Sequence, residues 1–231
     1  MDNGTSPEVV AQFNRLARLP DQWDHNRQYQ KYLLRRVGEH RGDALDVGCG
    51  TGEFTRELAS RCRRVTGIDV ADCMIEEAQK RNTLPNIEYL KIDAIRLLRD
   101  REKEFDVIVS IATLHHLDVE AFFNAARRAL RPGGVLLVLD LFKTVTPADM
   151  VFAVAGVLCN PLWNLVKRGG MAVTEEEREA WKEHARCDSY DTLARIRDRA
   201  AACLGRAAVR RHLFWRYSLV YNKAPVGSVS G

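Results

Sequence analysis

From residue 44 onward, short apolar segments rich in β-branched residues alternate with amphipathic stretches of helical period. This alternation is typical of βα units, in which a crossover helix follows each strand of a parallel sheet. The predicted strands are Ala44–Gly48, Val65–Asp69, Ile87–Lys91, Phe105–Ser110 and Gly134–Leu141. The predicted helices are Gly52–Arg61, Asp72–Arg81, Ala94–Arg99 and Val119–Leu130, the last of which stops before the turn Arg131-Pro132-Gly133-Gly134. The pattern therefore predicts five parallel strands joined by four crossovers.

The C-terminal part departs from this pattern. After a further predicted helix at Asp191–Leu204, two β-rich segments cover Ala208–Phe214 and Arg216–Tyr221. They follow one another too closely for a crossover helix, so they are predicted to pair antiparallel. The tail 224–231 is small and polar, and we expect it to be frayed.

An insertion, residues 143–190, separates the two parts. It contains an apolar run and a charged helical stretch, Thr174–Arg186, which opens with a Thr-x-x-Glu capping box. Loops beyond the carboxyl ends of strands cover the site in such sheets, so the insertion is expected to select the substrate. Its apolar side chains are predicted either to line an apolar pocket or to pack on the core or a second copy: Met150, Val151, Phe152, Val154, Leu158, Leu162, Trp163, Leu165 and Val166.

Composition narrows the class of protein. With 231 residues, 46% of them hydrophobic, and a net charge of +4, the chain can form one domain and has no charge excess that marks a nucleic-acid or membrane binder. Its six cysteines lack the paired spacing of a zinc site and are predicted to be reduced and mostly buried, and no metal is expected. The acidic N-terminus does not look like a secretory signal, and the apolar run 150–166 is broken by Asn160 and Pro161. A cytoplasmic protein without a membrane-spanning segment is therefore expected, as a monomer or a homodimer.

The most informative motif is the segment Leu45-Asp46-Val47-Gly48-Cys49-Gly50-Thr51-Gly52-Glu53, where a strand enters a glycine-rich turn before a helix. Glycines let the backbone approach a ligand, and the next helix offers free N–H groups. A dinucleotide fingerprint would need its third glycine at Glu53, whose carboxylate would repel a pyrophosphate, so NAD is disfavoured. Asp46 suits the ammonium group of an amino acid.

Acidic residues follow the next two strands. Asp69 ends the second strand, where a carboxylate can accept both hydroxyls of a ribose. Asp93 ends the third, where it can accept from an exocyclic amine or can simply cap the following helix.

Together these positions resemble the class I S-adenosylmethionine-dependent methyltransferases, over about residues 40–142. The Arg131-Pro132-Gly133-Gly134 turn and Leu114-His115-His116-Leu117 are further points of similarity, the latter to small-molecule methyltransferases. The resemblance implies a doubly wound, Rossmann-like, seven-stranded α/β sheet, mostly parallel with an antiparallel last strand and helices on both faces. It implies S-adenosylmethionine as cofactor, S-adenosylhomocysteine as product and a methyl acceptor with an O, N, S or C nucleophile, expected to be a small apolar or aromatic metabolite.

The resemblance also assigns cofactor-binding residues. It implies that the turn of Gly48, Cys49, Gly50 and Gly52 holds the methionine moiety, together with Asp46. Asp69 would hold the ribose and Asp93 and Ala94 the adenine. The remaining predicted contacts to the cofactor are Val70, Ser110 and Ile111, the last two forming the far wall.

Two histidines are candidate bases. His116, and in second place His115, follow the fourth strand at the edge where the site forms, and a positioned histidine accelerates proton transfer by about 10² to 10⁴. The alternative is that both pack or bind the backbone.

The residues before the first strand, 1–40, are predicted to form a helical lid. Its aromatic stretch includes His25 and Tyr29, which would close over the cofactor; the alternative is an ordinary packing helix. Two other functions stay open: a tRNA or rRNA methyltransferase, because of the arginines between 195 and 211, and a non-catalytic cofactor-binding protein.

Overall fold

The protein is described by a computed structural model covering residues 7–17, 26–38, 41–154, 175, 179 and 188–225. Seven helices are named here by chain order: α1 Pro7–Leu16, α2 Arg27–Val37, α3 Glu53–Ala59, α4 Asp72–Arg81, α5 Ala94–Arg99, α6 Val119–Ala129 and α7 Leu193–Leu204. The strands are β1 Arg41–Val47, β2 Cys62–Asp69, β3 Ile87–Lys91, β4 Phe105–Ile111, β5 Leu130–Leu141, β6 Ala207–Arg211 and β7 Arg216–Asn222. A 3₁₀ turn covers Leu114–His116, and residues 147–154 are also helical.

The strands form one sheet in the order β3-β2-β1-β4-β5-β7-β6. The first five strands run parallel, and β7 pairs antiparallel with both β5 and β6. The predicted α/β sheet and its antiparallel C-terminal pair are therefore confirmed. The strand order reverses between β1 and β4, which is where ligands bind in open α/β sheets, beyond the carboxyl ends of the strands.

Strand β5 begins four residues earlier than predicted. Leu130 is fully buried and pairs with Phe105, so the strand starts directly after α6. The register then shifts between Phe105 and Val107, and Gly133 takes a positive φ of 79° inside the strand. The Arg-Pro-Gly-Gly segment is thus an irregularity within β5, and the prediction of a separate turn there was wrong.

Each face of the sheet is covered by its own apolar core. On one face, Phe122 and Phe123 of α6 pack with Ile196 of α7 against the sheet. On the other, Leu33 of α2 and Phe54 and Leu58 of α3 cover the central strands. Helices on both faces leave the strand ends at the edge of the sheet as the place where a pocket can open.

Little of the insertion is described. Residues 155–174, 176–178 and 180–187 lie outside the described part, and with them most of the predicted helix 174–186 and the apolar positions from 158 to 166. Met150, Val151, Phe152 and Val154 are exposed, so they are not part of the core. Their lining of a pocket and their packing on a second copy stay predictions. The described cysteines are Cys49, Cys62, Cys73 and Cys203, all of them free thiols, and all but Cys73 are buried. Within the described residues, no helix is both long and apolar enough to cross a membrane.

Candidate active site

The glycine-rich turn after β1 is held over the end of β2. The backbone N–H groups of Gly48 and Cys49 both donate to the carbonyl of Ile68, at 2.8 and 2.9 Å. Gly48 has a φ of 70°, and a Cβ placed there would lie 2.0 Å from the Oγ1 of Thr113. The turn therefore needs glycine at this position both for its backbone conformation and for the close approach of the segment after β4.

Asp69 braces this turn from the end of β2. Its Oδ2 accepts from the N–H of Gly50 at 3.1 Å, and its Oδ1 accepts from the N–H of Ala71 at 2.9 Å. Burial raises the pKa of Asp69, while these backbone hydrogen bonds act in the opposite direction. The carboxylate is thus fixed in orientation with lone pairs still available to a ligand.

A cavity of about 600 Å³, counted with its open mouth, lies at the carboxyl ends of β1, β2 and β4. Most of the lining is apolar, with Asp69, Thr113 and His116 as its polar side chains. The lining residues are Phe13, Val47, Gly48, Gly50, Ile68, Asp69, Val70, Met74, Ile92, Ala94, Ile111, Ala112, Thr113, His116 and Leu117.

The structure brings seven of the predicted site residues to this cavity: Gly48, Gly50, Asp69, Val70, Ala94, Ile111 and His116. It places the other predicted residues behind the wall or away from it, apart from His25, which lies outside the described residues. Ser110 is fully buried inside β4 and does not reach the cavity.

Three further residues predicted to contact the cofactor, Asp46, Cys49 and Gly52, are not among those that line the cavity. Asp46 is buried and accepts a hydrogen bond from Thr55 Oγ1 at 2.7 Å; burial raises its pKa to about 7, although that bond lowers it. Burial also raises the pKa of the Cys49 thiol. Gly52 is backed by the Tyr89 ring, whose hydroxyl would lie 2.3 Å from an added Cβ. These three residues shape the turn without lining the cavity.

Asp93 takes the second of its two anticipated roles, the capping of the following helix. Its Oδ1 accepts from the N–H of Arg96 at 2.9 Å, so it caps α5. Its Oδ2 is buried and has no hydrogen-bond partner within the described ranges. Asp93 lies beside Val70 and Ile92, which also line the cavity. A hydrogen-bond acceptor, Oδ2 of Asp93, is thus available next to the end of β3.

Tyr29 lies elsewhere. Its hydroxyl donates to the carbonyl of Leu213 at 3.2 Å, and its ring packs against His212. The aromatic residue that reaches the cavity from the N-terminal segment is Phe13 of α1, whose ring meets His116 edge-on with the ring centroids 5.3 Å apart. Sequence reasoning missed Phe13 because α1 precedes the βα pattern and carries no motif. It also missed Met74, Ile92 and Thr113.

His115 and His116 lie on the 3₁₀ turn after β4, and Asp188, from the segment before α7, faces both of them. His115 Nδ1 lies 2.7 Å from Asp140 Oδ1 at the end of β5, and the N–H of His115 donates to Asp140 Oδ2 at 2.9 Å. Burial lowers the pKa of His115, but the Asp140 and Asp188 carboxylates outweigh it and raise the pKa overall. His116 lines the cavity, while His115 stands behind it.

Comparison with known proteins identifies the family. Residues 45–138 match the family described as "Methyltransferase domain". An uncharacterized methyltransferase of Mycobacterium tuberculosis is 31% identical over 207 residues, which cover 88% of this chain and 98% of the relative. The chain belongs to the class I S-adenosylmethionine-dependent methyltransferases. The resemblance noted from the motifs is thereby confirmed.

Other similar proteins include an O-methyltransferase and an N-methyltransferase. A ubiquinone biosynthesis O-methyltransferase of Pseudomonas fluorescens is 30% identical over 162 residues, covering 64% of this chain and 67% of that one. Among solved structures, a DhpI–SAH complex aligns with a TM-score of 0.63 at 22% identity, covering 97% of this chain and 100% of that one. N-methyltransferase NodS from Bradyrhizobium japonicum aligns with a TM-score of 0.58 at 18% identity, covering 94% of this chain and 98% of that one. Both structures support the same fold for this methyltransferase.

Proposed function

We propose that this methyltransferase transfers a methyl group to a small apolar or aromatic acceptor that enters the cavity on the side of His116. The observation that carries the proposal is the division of the cavity wall. Gly50 and Asp69 line it as one hydrogen-bonded pair, and His116 and Phe13 line it as another pair whose rings are in contact. Such a wall offers a cofactor end and an acceptor end within one pocket.

The residues present fit the family's cofactor. Gly48 and Gly50 would lie along the methionine moiety, because neither carries a side chain that would fill that part of the cavity. Asp69 would accept the ribose hydroxyls, and the unpartnered Oδ2 of Asp93 would accept from the adenine amine. Val70 and Ile92 supply apolar surface for the adenine ring.

The cofactor supplies a methyl group on a sulfonium centre, which a nucleophile attacks in line. The chain's task is to position the two reactants, and well-oriented pairs reach effective molarities of about 10⁵ to 10⁸ M. Phe13 would close the cavity from α1 and exclude water. A hydroxyl or ammonium acceptor must also lose a proton. We assign the promotion of this proton loss to the cluster of His115, His116 and Asp188, with His116 in contact with the acceptor.

The size and polarity of the acceptor follow from the wall. The lining residues that contact His116 or lie within five positions of it in the chain are mostly apolar, namely Phe13, Ile111, Ala112 and Leu117, with Thr113 as the exception. An apolar or aromatic compound with one reactive group fits this wall, because the only polar side chains among its described lining residues are Asp69, Thr113 and His116. The similarity to a ubiquinone biosynthesis O-methyltransferase agrees with a hydroxylated aromatic acceptor.

The test is an acceptor screen that follows S-adenosylhomocysteine release, run on the wild-type protein, His116→Asn and the control His212→Asn. His212 is a half-buried histidine whose Nε2 is hydrogen-bonded to Ser218 Oγ at 2.8 Å, and it does not line the cavity. We expect turnover of a hydroxylated aromatic compound, a loss of kcat of about 10² to 10⁴ in His116→Asn, and little change in the control.

Two other results would contradict the proposal. Cofactor binding without turnover across a broad panel would favour a non-catalytic protein. A salt-sensitive RNA mobility shift together with methylation of RNA would favour a tRNA or rRNA substrate.

A further inference from the structure

The side chains of His115, His116 and Asp188, from two distant parts of the chain, come together next to the part of the cavity wall that His116 forms. Nε2 of His115 and Nε2 of His116 lie 3.8 and 3.7 Å from Oδ1 of Asp188, and the three atoms all lie within 4.8 Å of one another. The side chains are only 5%, 6% and 3% exposed. Three potential ligand atoms therefore face one another in a buried place that adjoins the cavity.

Hydrogen bonds from the two histidines to Oδ1 of Asp188 do not explain this arrangement. Distances of 3.7 and 3.8 Å exceed the 2.7–3.2 Å of a protein hydrogen bond. In the part of the chain that is described, Nε2 of His115 has no hydrogen-bond partner. Leaving a buried polar atom without a partner destabilises the fold, so an arrangement that keeps one calls for a ligand.

The neighbouring residues orient these atoms in the way that supports a metal ligand. Asp140 contacts Nδ1 of His115 at 2.7 Å and is itself held by the backbone N–H groups of His115 and Leu141. A carboxylate on Nδ1 places the proton there and leaves Nε2 with its lone pair free, as in metal-binding histidines. The hydroxyl of Tyr190 donates to Oδ2 of Asp188, and Oδ1 of the same carboxylate faces the two histidines.

We infer that His115, His116 and Asp188 bind one divalent transition-metal ion. A tetrahedral ion with bonds of 2.0–2.2 Å needs ligand atoms about 3.3 Å apart, so small side-chain rotations bring the atoms into place. Two imidazoles and one carboxylate favour Zn²⁺ or Co²⁺ over Mg²⁺ and Ca²⁺, which prefer oxygen ligands. Three protein ligands leave a fourth position for water or for an acceptor oxygen, as in catalytic zinc sites.

The chemical consequence rests on the proposed methyl transfer and narrows the acceptor to a hydroxyl compound. An acceptor oxygen on the ion would have a lowered pKa and would lose its proton to solvent before attack. The oxygen would then form the bond to the methyl carbon as the carbon–sulfur bond breaks, with the electron pair passing to sulfur. His116 would act as a ligand in this state, and the ion would promote the proton loss.

The test uses the full chain without an affinity tag, stripped of metal with a chelator. Zn²⁺ is titrated by calorimetry, Co²⁺ by its visible absorption, and Mg²⁺ serves as the comparison ion. The variants are His116→Ala, Asp188→Asn and Asp140→Asn, with His212→Ala as the matched control. Circular dichroism and S-adenosylhomocysteine binding report on the folded state of each variant without requiring metal.

We expect one Zn²⁺ per chain, a tetrahedral Co²⁺ spectrum and no heat with Mg²⁺. Affinity for Zn²⁺ should fall at least 100-fold in His116→Ala and Asp188→Asn, 10- to 100-fold in Asp140→Asn, and not in the control. Folded protein that binds no Zn²⁺, or that binds it equally in the ligand variants and the control, would overturn the inference. In that case intact binding of S-adenosylhomocysteine would leave the proposed methyl transfer standing, with His116 as its base.

Discussion

The close contact between the glycine turn and Thr113 makes a quantitative prediction about Gly48→Ala. An added Cβ would lie 2.0 Å from Thr113 Oγ1 and 2.4 Å from its Cγ2, at a φ of 70°. Gly133 is a matched control, since its φ is 79° and nothing lies within 4 Å of an added Cβ. Both substitutions should lower the free energy of unfolding by about 1–2 kcal/mol because of the left-handed backbone. Only Gly48→Ala should lose about 1–3 kcal/mol more through overpacking.

The assay is equilibrium urea unfolding of the two variants beside the wild-type protein. Gly48→Ala should be the less stable of the two by about 1–3 kcal/mol, or roughly 2–4 °C in Tm per kcal/mol for a chain of this size. Adding Thr113→Ala removes the two nearest atoms and should recover part of the difference, because its Cβ at 2.7 Å remains. Equal stability of Gly48→Ala and Gly133→Ala would refute the close approach.

Three further predictions concern charge, closure and helix capping. Burial raises the pKa of Asp46 in the folded protein from 3.8 to about 7. The free energy of unfolding should therefore be highest below about pH 4 and should fall by up to about 4 kcal/mol as the pH rises to about 7, because the buried carboxyl must then ionise. Asp46→Asn should flatten this pH dependence in urea titrations. Phe13→Ala should weaken S-adenosylhomocysteine binding about tenfold in calorimetry, since half-buried aromatic surface is lost from the wall. Asp118 accepts from two N–H groups at the start of α6, so Asp118→Ala should lower the free energy of unfolding by about 1 kcal/mol without changing cofactor affinity.

Local periodicity was enough to predict the sheet. The alternation of apolar strands with amphipathic helices gave β3, α4 and α5 with the bounds that the structure has, because each is flanked by polar or turn residues. The start of β5 at Leu130 was missed because a Pro-Gly-Gly sequence usually marks a turn, whereas pairing with Phe105 and burial override that preference here.

The cavity could be predicted only where its wall is built from strand ends. Gly48 and Asp69 lie directly after β1 and at the end of β2, so their proximity follows from the topology. Phe13 and Asp188 reach the site from segments whose approach depends on tertiary packing, such as the bond from Cys73 N–H to Asn14 of α1. No spacing in the sequence indicates that Asp188 lies beside His115, which is 73 positions earlier in the chain.

The central claim is that the cavity beside Asp69 holds S-adenosylmethionine. The most direct measurement is isothermal titration with S-adenosylhomocysteine, and with NADH as the comparison, on the wild-type protein, Asp69→Ala and Asp72→Ala. Asp72 is an exposed carboxylate that pairs with Lys91 outside the cavity lining. Micromolar binding of S-adenosylhomocysteine, no heat with NADH, a loss of about 10²-fold or more in Asp69→Ala and none in Asp72→Ala is the predicted result. Folded wild-type protein that binds no S-adenosylhomocysteine, or a folded Asp69→Ala that binds it as tightly as the wild type, would contradict the account.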